Sequence, residues 1–232
     1  MSLQNTLIAV PGVSAARTAT PRRIFLSGTP EYLAQSLTIA GACTRDTGNT
    51  SNLDVIRAGM LMGRITSVVN SLGTVGHYAN SILGVTTNAE IVGSTAIEAT
   101  AAVVTELVRR CGATGTFTLT GPPAASGVVV SETVTYSAAS GTSITVTALV
   151  NAFVAGSFIQ PTDGSQLPAT FIPDGTGQKV TDVDGTSLDT PFREFPIRGT
   201  VDASQLLFWP SDTSLQAWLE ARLPYFIFDH GF

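Results

Sequence analysis

His77 and His230 are the only histidines in the 232-residue chain, so any Ser-His-Asp or Cys-His arrangement must use one of them. No serine stands in a Gly-x-Ser-x-Gly elbow, the strained turn that presents one large class of nucleophiles. His77 beside Tyr78 reads as a strand residue and His230 as a tail residue. Asp182, Asp184 and Gly185 in "TDVDGTSLD" imitate a calcium loop, which needs its glycine sixth and a bidentate glutamate twelfth. Counted from Asp182, the glycine comes too early and Arg193 occupies the last position, so the stretch reads as a plain turn. Cys43 and Cys111 lie far apart with no Cys-x-x-Cys or Cys/His ligand spacing. They read as two buried thiols, with a bridge left open by the spacing. Gly-x-Gly-x-x-Gly and Gly-x4-Gly-Lys-Ser/Thr loops, which cradle phosphates through backbone amides, are missing. The expectation is no catalytic residue, no metal and no cofactor, which points away from an enzyme and toward a structural or binding role.

Charged side chains make up 12% of the chain, about half the usual share for soluble domains. Gly, Ser, Thr and Ala take their place, which favours many strands and turns and a surface partly buried against other chains. The net charge of −5 is unevenly spread. Residues 1–50 carry Arg17, Arg22, Arg23 and Arg45 against Glu31 and Asp46, while the remainder is acidic and holds Lys179 as its one lysine. Phosphate neutralisation needs clustered basic residues, so nucleic acid is not an expected partner. No uncharged apolar run approaches the ~18 residues that span a bilayer, and the start lacks the basic region of a secretory signal. A soluble protein made in the cytoplasm is expected.

The elements that would position any site are mostly short. Pro11, Gly12, Pro21, Gly28 and Pro30 punctuate residues 1–50, which reads as an extended arm rather than core. The spacing of Ile97, Ala101, Val104, Val108 and Cys111 predicts a helix over 95–111, with Thr95 and Glu98 as a capping box and Gly112 as the stop. Residues 112–156 read as an inserted antiparallel meander. Phe117 and Leu119 alternate with threonines, Val128, Val130, Val134 and Tyr136 point one way, and Ile144, Val146 and Val150 share a face. A second helix is predicted at 213–222, capped by Asp212 and ended by Pro224, before a buried strand "YFIF" at 225–228. Residues 51–111 and 157–232 form the β-rich body. The fold class is mainly β with two short α-helices.

One stretch fits neither plain strand nor helix. In "RAGMLMGRIT", residues 57–66, Gly59 and Gly63 interrupt an apolar run that needs a buried home. Together with "GHYA" at 76–79, it resembles the segment typical of head decoration (cement) proteins of lambda-type tailed bacteriophages. Ala58, Gly59, Leu61, Gly63, Arg64, Ile65, Thr66, Gly76, Tyr78 and Ala79 carry the resemblance. His77 stands where that pattern has a lysine, and residues 67–75 lengthen the hairpin. "GATGTFTLTGPPAASG", "TVTYSAASGTSITVTAL" and "SFIQPTDGSQLPATFI" are also similar to strand modules of virion proteins.

The resemblance implies a β-tulip-like decoration fold carrying the 112–156 meander as an extra subdomain. It also implies a homotrimer at local three-fold positions on the outer capsid surface, an N-terminal arm on the major capsid protein, and a place in the virion. Within the arm, Ile24, Phe25 and Leu26 would add as a strand to a capsid edge, and Arg17, Arg22 and Arg23 would anchor it on an acidic surface. Another reading is a tail-spike or fibre-associated β domain for host-surface attachment.

Overall fold

The computed structural model describes residues 23–33, 35–123, 127–173, 178–181, 186–192 and 195–230. They form a mainly β structure with two α-helices, as the sequence predicts. Strands and helices are numbered in chain order.

The largest sheet has six strands in the order β6 (Gly84–Val85), β11 (Phe158–Gln160), β8 (Gly115–Gly121), β9 (Val130–Ser140), β10 (Ser143–Val146) and β7 (Ala96–Glu98). β8 and β9 pair in unbroken antiparallel register from Gly115 opposite Tyr136 to Gly121 opposite Val130. Helix α1 (Ala101–Cys111) covers one face. There Phe117, Leu119, Val134, Tyr136 and Ile144 pack on Val103, Val104, Leu107 and Cys111. Period-two strands facing a helical stripe account for this core. Val128 and Val150, expected on the inner face, are exposed instead. The meander is not a separable insert, because β6, β7 and β11, from outside 112–156, complete its sheet, and Leu83 and Ile159 join its core.

The helix begins later than its periodicity predicts. Ala96–Glu98 pairs with β10, placing Ile97 opposite Ile144, and Thr100 is the N-cap. A β-branched residue at 97 packs as well from a strand as from a helix, and the open edge of β10 satisfies its backbone. The end is as expected: Gly112 has φ +99° and its N–H bonds Val108 O.

A five-stranded sheet runs β12 (Pro168–Phe171), β4 (Leu61–Arg64), β5 (Tyr78–Asn80), β2 (Leu37–Ile39) and β14 (Thr190–Phe192). β13 (Gln178–Lys179) pairs with β3 (Val55–Ile56). The third sheet orders β1 (Phe25–Tyr32), β15 (Pro196–Asp202) and β16 (Phe226–Asp229), with β16 parallel to β15. Helix α2 (Thr213–Arg222) packs Leu215 and Leu219 beside Ile24, Phe25, Phe171 and Phe226. Asp212 caps it, its Oδ1 accepting the Ser214 and Leu215 amides at 2.9 and 3.0 Å. "YFIF" does make a closing strand, but an edge strand: Phe226 is buried while Tyr225 and Ile227 face solvent.

The expectation of an arm over residues 1–50 needs correction from Arg23 onward. β1 pairs with β15, Ile24 and Phe25 are core residues, and Ile39, Ala40, Cys43 and Asp46 are buried. β1 and β2 find strand partners in β15 and β14 more than a hundred residues away, which no local periodicity reveals. Residues 1–22 lie outside the described residues.

Candidate functional site

The residues that carry the resemblance converge. Gly63 pairs with Ala79 and Arg64 with Tyr78 across the antiparallel β4–β5 pair. Met60, Leu61, Met62 and Ile65 are all buried, which is the home the apolar run required. Gly59 has φ +87°, and its backbone bonds Ile172 O at 2.8 Å and the Leu207 amide at 2.9 Å. Gly63 answers a different need. A Cβ there would lie 2.0 Å from Ser165 O and 2.6 Å from Leu167 O, so only glycine lets the 165–167 backbone approach. Arg64 is exposed, and half-buried Tyr78 packs its ring 5.7 Å from Phe195. The motif therefore builds the scaffold and offers solvent mainly Arg64, Thr66 and the edge of Tyr78.

The six residues assigned to capsid contact are separated. Arg17 and Arg22 lie outside the described residues. Arg23 is exposed and donates from Nε to Phe25 O at 3.2 Å. Ile24 and Phe25 are buried in the body, which removes their side chains from any docking surface, and Leu26 alone faces outward. The turn containing Asp182, Asp184 and Gly185 is also outside the described residues.

The structure brings charges together where the sequence suggested none. Arg110, at the end of α1, is 1% exposed. Its Nη1 donates to Asn80 O and Oδ1, both at 2.9 Å, and its Nη2 to Asp163 Oδ2 at 2.8 Å and Ser165 Oγ at 2.6 Å. Ser165 in turn donates its amide and hydroxyl to Asp163 Oδ1 at 3.0 and 2.7 Å. Burial pushes the Asp163 carboxyl up, but Arg110 and the Ser165 hydrogen bonds outweigh it and hold it below its ordinary range. This cluster fastens α1 to β5 and to the loop before β12.

Three more pairs extend the pattern. Arg57 grips the buried Asp46 with both nitrogens at 2.6 and 2.9 Å, and Arg45 meets Asp54 at 2.7 Å. Arg109 holds Glu106 at 2.6 and 2.7 Å while also donating to Ala42 O. Sequence reading placed Arg45 in the arm and gave Arg109 and Arg110 no partner, since nothing local distinguishes a buried arginine from an exposed one. The only available signal was scarcity: with so few charges, each one had reason to be paired.

The histidines are engaged as well. His77 Nδ1 lies 3.0 Å from Asp189 Oδ2, without hydrogen-bond alignment, and His230 Nε2 lies 2.9 Å from Glu220 Oε1. Both cysteines are free and buried. Burial pushes the Cys43 thiol up and Cys111 to about 12, with Arg110 opposing in each case. Among the described residues, no group of three His, Cys, Asp or Glu side chains is placed to hold a metal, and no helix is long and apolar enough to cross a membrane.

Two open clefts of about 290 and 450 Å³ share Val85 and Phe208 as walls. Phe208 has φ +60°, a costly conformation for a bulky residue, and packs into two core clusters. Trp209 lines the smaller cleft, and Thr47, Thr50 and Thr100 lie along the larger. Such walls suit an apolar side chain better than a charged substrate. Comparison with protein-family models, with curated proteins and with solved structures finds no match for this chain.

Proposed function

We propose that this chain is a bacteriophage head decoration (cement) protein, a homotrimer that binds the outer surface of the major capsid protein shell at three-fold positions and stabilises the head. The observation that carries the reading is the union of the resembling segments. Both resembling segments contribute to the β4–β5 pair, where Gly63 lies opposite Ala79 and Arg64 opposite Tyr78, which supports reading them together. The charge economy supports it. Four arginines are paired with carboxylates inside the fold, leaving a hydroxyl-rich, weakly charged exterior suited to extensive contact with other subunits.

A cement protein acts by adding interface that internal pressure must break. The arm role belongs to residues 1–22, with Arg17 and Arg22, because Ile24 and Phe25 are committed to the core. The test is co-sedimentation of purified protein with expanded, empty capsids of its own phage, with light scattering for the oligomer. Saturable binding in multiples of three, and capsids that resist heating better when decorated, are expected. Failure to bind, or single copies bound at each site, overturns the reading.

A further inference from the structure

Two surface features fit each other but do not meet within one chain. The first is an apolar tip. Residues 91–94 form a turn closed by the Ser94 amide on Ile91 O at 3.1 Å, with Gly93 at φ +85° where a type II turn needs glycine. Ile91 is 72% exposed, Val92 63% and the adjoining Val150 74%. Aliphatic side chains at a turn's apex call for a partner, because turns ordinarily carry polar residues. The tip is also held rigidly. Glu90 and Phe153 exchange backbone hydrogen bonds at 2.7 and 2.8 Å. The Gly93 amide bonds Leu149 O at 2.8 Å, and the Leu149 amide bonds Ser94 O at 3.0 Å.

The second feature is the larger cleft, about 450 Å³, walled by Val85, Ala101, Ala102, Val103 and Phe208. Among the described residues that wall it, none is ionisable. Phe208 keeps its costly positive φ here, and such strain persists where the surroundings enforce it, often at ligand clamps. Tip and cleft match in character, since both are apolar and uncharged, one convex and the other concave. With the tip fixed to Leu149 and Phe153, its side chains stay exposed and the chain's own cleft stays open. The matching occupant is a second copy.

We propose that the tip of one copy, Ile91 and Val92, enters the cleft of the next copy between Val85, Ala101 and Phe208. Tip and cleft are different surfaces, so the contact is head-to-tail, and such contacts close into a ring when the rotation allows. A ring of three is the homotrimer of the cement reading, on which this inference rests. Apolar anchors seated in a desolvated cleft carry most of an interface's affinity. Thr47, Thr50 and Thr100 supply the polar rim around the anchor.

The experiment compares the full chain with two variants by light scattering over a concentration series. Val92→Asp places a charge on the exposed tip. Ala101→Glu places one in the cleft, at an exposed position in the first turn of α1 where a carboxylate suits the helix. Each alone weakens association by roughly thirtyfold or more, with an unchanged far-UV spectrum. Mixed together, the two form a one-to-one dimer, because Val92→Asp keeps an intact cleft and Ala101→Glu an intact tip. That dimer also shows that both variants fold. Trimers unaffected by either variant overturn the proposal. So does a loss in Val92→Asp alone, which assigns a tip-to-tip contact. A parent chain that stays monomeric in solution yet binds capsids in threes overturns the contact and leaves the cement reading standing. A parent trimer broken by both variants that fails to bind capsids supports the contact and overturns the cement reading.

Discussion

Replacing Arg110 with methionine tests the claim that a buried ion pair fastens α1 to the rest of the fold. The substitution keeps the side chain's length and apolar body but removes four hydrogen bonds and the positive charge facing Asp163. The Asp163 side chain is 3% exposed and keeps only its Ser165 partners, so it is left as a buried carboxylate with no counter-charge. Breaking a buried pair from one side costs about 3–5 kcal/mol. That is a large part of the ~5–15 kcal/mol by which domains are stable. For a chain of this size each kcal/mol moves Tm by about 2–4 °C, so a fall of roughly 6–20 °C is expected in calorimetry.

The pH dependence supplies the sharper test. Asp163 is held below its ordinary value of about 3.9 in the folded chain. A depressed carboxyl contributes stability that is complete above the unfolded value and is lost as pH falls through the lower folded one. Wild-type stability therefore drops through that acid window, and Arg110→Met, which removes the cause of the depression, shows a shallower drop. The double variant Arg110→Met/Asp163→Leu recovers much of the loss, because no unpaired charge remains. A single variant that loses less than about 1 kcal/mol refutes the assignment, since a pair behaving that way is an exposed one. So does an acid limb identical to that of wild type.

Gly63→Ala forces a methyl group against the Ser165 and Leu167 carbonyls and should cost about 1–3 kcal/mol or more in a urea titration. Gly93→Ala has φ +85° but an open site, so it should cost only the left-handed backbone term of about 1–2 kcal/mol. Asp212→Ala removes two cap hydrogen bonds from α2 and should lower stability by about 1 kcal/mol, with Asp212→Asn nearly neutral. Cys43 and Cys111, both buried with raised thiol pKa, should resist a disulfide reagent at pH 8 in the folded protein and react fully in denaturant. Rapid native labelling of either would show that the core around α1 opens readily.

Whatever depends on near neighbours was legible in the sequence. Asp212, Leu215, Leu219 and Pro224 specify α2 within a dozen residues, because caps, periodicity and breakers act over one or two turns. The β8–β10 alternation is likewise local, and so was the mainly β class. The candidate scaffold was half visible: "RAGMLMGRIT" declared that it needed burial, but only the fold supplied Ser165 and Leu167 as the reason for Gly63. Decisions between distant segments were invisible. Thr95 and Thr100 offer equivalent caps, and the edge of β10 chose between them. Ile24 and Phe25 look the same in an arm as in a core until Val201 and Phe226 arrive beside them. Arg45, Arg57 and Arg110 carry no mark of burial, because a buried charge is set by what surrounds it in space. Asp163 reaches Arg110 from 53 residues away, and even Asp54 and Asp46 meet Arg45 and Arg57 through the path of an irregular loop that no periodicity predicts.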